Sequence, residues 1–144
     1  MAKLDRAVVE RKLGYLNRYV RDLSQHVLLD DAGRRQAHYA IERLLQLLCE
    51  TASDIALQFL KAQGDTLPAS YREVFAALQR LDMLPEAMAR DLIAACGMRN
   101  VLTHLYDEID TDRVIAAVEP AVELYRAFAA WAIERLETGA SAGH

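Results

Sequence analysis

Proline, glycine, cysteine and lysine are all scarce in this chain. Three prolines and six glycines among 144 residues leave little material for the punctuated turns of an all-β domain. Two cysteines exclude a disulfide-dense scaffold. They stand far apart at Cys49 and Cys96 in apolar surroundings, and reduced core thiols are expected there rather than a disulfide. No apolar run approaches the roughly 20 residues that a membrane span needs. The start, Met1-Ala2-Lys3-Leu4-Asp5, passes into amphipathic sequence without the pattern of a signal peptide, so a cytoplasmic location is expected. HExxH, CxxC, GxSxG, Walker and dinucleotide motifs are missing. Zinc, serine-hydrolase, P-loop and Rossmann chemistry therefore have no support, and neither a metal site nor a cofactor is expected.

What is present has helical period throughout. Val9, Leu13, Leu16, Val20 and Leu23 mark a first helix. Ile41, Leu44, Leu48, Ala52, Ile55 and Phe59 mark a long second one, closed by Gly64. A short helix follows Pro68 through Tyr71, Val74, Phe75 and Leu78, and Pro85 suits the first turn of the next. A last helical region from about Asp112 carries Ile115, Val118, Val122, Tyr125, Ala129 and Leu136, and Pro120 must kink or split it. These periods predict one all-α domain, an antiparallel helical bundle over 1–137, with 138–144 a disordered tail. The second helix is apolar round more than one face, so it is either central or shared with a second copy; a two-fold homodimer is the preferred reading.

Chemistry concentrates in Arg99-Asn100-Val101-Leu102-Thr103-His104-Leu105-Tyr106. Histidine can accept and return a proton near neutral pH. Arginine supplies a permanent forked charge for a phosphate. Together they are a minimal kit for phosphodiester cleavage without metal. At about 100° per residue, Arg99, Thr103 and Tyr106 share one stripe and Asn100, His104 and Asp107 the next. Met98, Val101, Leu102, Leu105 and Ile109 fall on the opposite arc, expected to face the core. Such an arc is also what any solvated helix face looks like.

The order Arg-x4-His-x-Tyr resembles the signature of the HepT toxins, a branch of the HEPN nucleases. So do Ser70-Tyr71-Arg72-Glu73-Val74-Phe75 with Leu78, the Leu84-Pro85 turn, Gly97-Met98-Arg99-Asn100-Val101-Leu102, and Tyr106-Asp107-Glu108-Ile109-Asp110. The resemblance reaches from the first helix to about Leu136. Thr103 departs from it, at a position that is apolar in many relatives.

It implies a HEPN-type bundle that dimerises with two motif copies facing across a cleft. Arg99 and His104 are about 140° apart on an ideal helix, so one copy alone does not aim both at one point. It also implies a toxin that cleaves transfer or messenger RNA. In that reading the 2′-hydroxyl attacks, His104 is general base or its dimer mate the acid, Arg99 holds the scissile phosphate and Asn100 orients either. Tyr106 is the implied site of adenylylation by a minimal nucleotidyltransferase antitoxin. Added AMP brings charge and bulk beside Arg99 and His104. Two alternatives stay open: a catalytically silent HEPN module that regulates a nucleotidyltransferase, and a nucleotide-binding helical dimer.

The remaining candidates are weaker. His26 and His38 are expected as surface or cap residues, and His144 lies in the tail. Asp107, Glu108, Asp110 and Asp112 suit a solvated helix end better than a cation site. The net charge of −4 runs against strong nucleic-acid binding. Only Lys3, Lys12 and Lys61 are lysines among 17 basic residues, however, and Arg72, Arg80, Arg90 and Arg99 are expected to line a local positive cleft. RNA binding is then expected to be weak and salt-sensitive.

Overall fold

Seven helices make up all the regular structure among the described residues of a computed structural model: residues 4–64, 66–104 and 111–142, with side chains outside 98–104 and 139–142. They are α1 (Arg6–Val27), α2 (Asp31–Gln36), α3 (His38–Ala62), α4 (Tyr71–Arg80), α5 (Glu86–His104), α6 (Thr111–Ala116) and α7 (Val118–Ala142). Among these residues no helix is long and apolar enough to cross a membrane.

The helix starts follow from short polar caps. The Asp5 side chain accepts the Val8 N–H, Asp30 accepts that of Gly33, and Ser70 accepts that of Glu73. Val9, Leu13, Leu16, Val20 and Leu23 are the buried face of α1. Gly64 ends the α3 region with φ 73, a conformation that favours glycine.

α3 packs against every other helix. Most of its wide apolar circumference is covered inside the protomer, so that surface carries little argument for a second copy. Ile41, Leu48, Ala52, Ile55 and Phe59 are buried as expected, while Leu44 is only partly covered. The aromatic centre joins three helices: Phe128 stacks on Trp131 at 5.4 Å between centroids, and the edge contacts Phe59–Trp131 (5.2 Å) and Phe75–Phe128 (6.2 Å) flank it.

Two features depart from the sequence expectation. α2 carries no buried residue and no apolar period. It is held instead by Arg34, which donates to the carbonyls of His26, Val27 and Leu29 at the end of α1 and to Glu119 at 2.7 Å. Arg35 beside it pairs with Asp31 and Asp112. At the other end, α7 continues to Ala142, past the boundary expected at 137. Extending a formed helix carries no nucleation cost, which offsets the poor propensity of Gly139.

The break at Ala117 follows from Pro120. A proline ring clashes with the carbonyl four residues back, here that of Ala116, the last residue of α6. Pro120 thus sits in the first turn of α7, where its missing N–H costs nothing.

Candidate active site

The motif helix is set by the turn that feeds it. Asp82 takes a left-handed φ of 56, which aspartate tolerates better than most residues. The N–H groups of Met83 and Leu84 then both donate to the Leu78 carbonyl, at 3.0 and 3.2 Å. The Met83 carbonyl in turn accepts Trp131 Nε1–H (2.9 Å) and the Arg135 guanidinium (2.7 Å). Leu84 is buried, and the Pro85 carbonyl accepts the Ala89 N–H as the helix begins. The root of α5 is therefore tied directly to α7.

Along α5, Ala89, Leu92 and Cys96 form the inward stripe. Cys96 Sγ lies 3.3 Å from Cys49 Sγ on α3, both buried thiols not joined by a disulfide. The arc expected to face the core, Met98, Val101 and Leu102 with Leu105 and Ile109, falls where side chains lie outside the described residues.

The helical backbone carries Arg99, Asn100 and His104, while their side chains lie outside the described residues. Tyr106 lies outside them altogether, as do Leu105, Asp107, Glu108, Ile109 and Asp110. In α6, Asp112 is engaged by Arg35. Of the arginines expected to line one cleft, Arg72, Arg80 and Arg90 are exposed on α4 and α5. Arg72 borders a cleft with Tyr71 and Cys96, whereas Arg90 pairs with its neighbour Asp91 at 3.5 Å.

A second cleft of about 410 Å³ lies between α5, α6 and α7. Ala94, Ala95, Ala117, Ala121 and Leu124 line it, with Asp91 and Arg113. Tyr125 also borders it; its phenol is pushed well above its ordinary range by burial first, and then by the neighbouring Cys49 and Cys96.

Of the histidines outside the motif, His26 and His38 have structural partners, and His144 lies outside the described residues. His26 Nδ1 contacts the Asp22 carbonyl in the last turn of α1. His38 opens α3 and meets Glu42 at 2.9 Å. Glu42 is a buried carboxylate that sequence reasoning missed, since it stands beside exposed Arg43 in a polar pair that reads as solvated. Its signal was the i, i+4 spacing from His38.

Residues 9–130 match the family described as "Ribonuclease HepT-like". The chain belongs to the HepT-like ribonuclease family. It is 29% identical over 128 residues to "tRNA nuclease HepT" of Aphanizomenon flos-aquae, covering 87% of each chain. It is 30% identical over 84 residues to "mRNA nuclease HepT" of Shewanella oneidensis, covering 58% of this chain and 63% of that one. Among solved structures, the cytosolic protein YutE of Bacillus subtilis superposes with a TM-score of 0.82 at 19% identity, over 96% of this chain and 95% of that one. The tri-AMPylated HEPN toxin of S. oneidensis, in complex with MNT antitoxin, superposes with a TM-score of 0.75 at 22% identity, over 86% and 95%. The HEPN toxin fold is therefore the fold of this HepT-like chain, and its family match spans the whole motif helix.

Proposed function

We propose that this chain is the toxin of a toxin–antitoxin pair and a metal-independent endoribonuclease acting on transfer or messenger RNA. The observation that carries the reading is the unbroken helix from Glu86 to His104, inside the family match, which holds Arg99, Asn100 and His104 at fixed register. Nuclease-named relatives and antitoxin-bound neighbours support the class of activity and partner.

In the proposed mechanism the substrate supplies its own nucleophile. His104 takes the proton from the ribose 2′-hydroxyl, and the oxygen attacks the adjacent phosphorus. The 5′-oxygen leaves and takes up a proton from solvent, to which the His104 imidazolium later returns its own. Arg99 holds the phosphate and its developing charge, and Asn100 orients His104 or the phosphate. The products are a 2′,3′-cyclic phosphate and a 5′-hydroxyl. Two copies supply both groups to each site, because Arg99 and His104 diverge by about 140° on one helix. A minimal nucleotidyltransferase antitoxin neutralises the enzyme by adenylylating Tyr106, placing a phosphate where it competes for Arg99.

Unmodified protein should cleave total cellular RNA in EDTA, and His104→Ala should lower the rate by roughly 10²- to 10⁴-fold. Silence from wild type whose intact mass shows no AMP would favour the catalytically silent module. Cleavage that needs a divalent ion and leaves a 5′-phosphate would remove the mechanism.

A further inference from the structure

Cys49 and Cys96 lie 47 positions apart in sequence, yet their sulfurs touch at 3.3 Å across the α3–α5 contact. A disulfide bond is about 2.05 Å long, so the sulfurs need to approach by a little over 1 Å. Both are buried, with 1% and 4% of their surface exposed, and no disulfide joins them. Their exposure differs in kind as well as amount. Cys96 lines a cleft of about 450 Å³ between α3, α4 and the loop before α4, together with Leu57, Pro68, Ser70 and Tyr71. A cleft of this size admits a small oxidant to one thiol while the other waits behind it.

We propose that Cys49 and Cys96 are a redox modification site, forming a reversible disulfide when the protein meets a peroxide. The chemistry balances in two steps. The Cys96 sulfur attacks the peroxide O–O bond, giving a sulfenic acid and releasing one water. The Cys49 sulfur then attacks that sulfenic sulfur, forming the S–S bond and releasing a second water. Two thiols are oxidised by two electrons, and hydrogen peroxide is reduced to two waters. A dithiol reductant reverses the bond through a mixed disulfide.

The consequence falls on α5. Cys96 stands three positions before Arg99 on one continuous helix, so the cross-link ties the motif helix to the central helix less than one turn ahead of the motif. This requires nothing of the nuclease reading and survives its failure.

The test treats reduced full-length protein with hydrogen peroxide, denatures it, and blocks remaining thiols with N-ethylmaleimide before intact-mass measurement. The expected product is a monomer lighter by about 2 Da with no maleimide, which dithiothreitol returns to a form with both thiols labelled. Backbone amide exchange over 93–104 should slow roughly tenfold in the oxidised form. Oxygen adducts without the mass loss, intermolecular dimers on a non-reducing gel, or two maleimides after a small dithiol in the same tube has fully oxidised would each overturn the site. A cross-linked monomer with unchanged exchange would overturn its effect on α5. Cys49→Ala should trap the oxygen adduct on Cys96. The wild-type mass decides even if that variant does not fold.

Discussion

Tyr125 is the residue whose surroundings bear most directly on how the protein responds to pH. Burial keeps its phenol protonated above the ordinary range near 10, with Cys49 and Cys96 adding to the effect. The unfolded chain releases that proton near pH 10 and the folded chain does not, so the unfolded state binds fewer protons there. Stability is accordingly complete below about pH 10 and falls as pH rises beyond it. A titration of tyrosinate absorbance should show one tyrosine silent until the protein unfolds. Smooth titration of all six tyrosines in the folded state would contradict the burial. Nothing in the sequence around Tyr125 distinguished it from the other apolar positions of α7, because its setting is made by thiols on two other helices. The identities of Arg99, His104 and Tyr106, by contrast, stood out at once, since the roles proposed for them are read from residue type and spacing without reference to packing.

At the scale of the element, the long helices were legible and the short one was not. All five positions picked out in α1 are buried, and Pro120 marked the α6–α7 break to within a turn. Both features follow from hydrophobic period and ring sterics, which are local. α2 has neither, and exists because Arg34 closes the end of α1 from a distance. Arg34 is largely buried, and its several charge-assisted bonds leave multiple acceptors unpaired when it is removed. Arg34→Ala should cost about 2–3 kcal/mol, read as a lowered midpoint in urea unfolding. Arg35→Ala should leave the midpoint unchanged, because its ion pairs are exposed. Equal effects would mean that α2 is held by charge in general rather than by this carbonyl cap.

For the molecule as a whole, most of the apolar girth of α3 is covered inside one protomer, so the proposed pairing of two copies rests on the motif. That makes a complementation experiment decisive. If each site draws Arg99 from one copy and His104 from the other, Arg99→Ala and His104→Ala proteins are inactive alone. Mixed and allowed to exchange subunits, they form one intact site per heterodimer and should recover about a quarter of wild-type activity. No recovery despite heterodimer formation would place both groups of a site on a single chain.

The bonds that Trp131 and Arg135 make to the Met83 carbonyl have a mechanical consequence. α5 is a lever about 27 Å long from Glu86 to His104, clamped at its root and bearing the proposed catalytic residues at the tip. A tilt of only about 2° at the clamp swings the tip by roughly 1 Å, a displacement that can cost an enzyme about 10²-fold in rate. Arg135→Ala leaves Trp131 as the remaining clamp donor, so it should melt near the wild type yet cleave RNA far more slowly. An RNA-cleavage rate that followed stability alone would show that the lever is held true along its length instead.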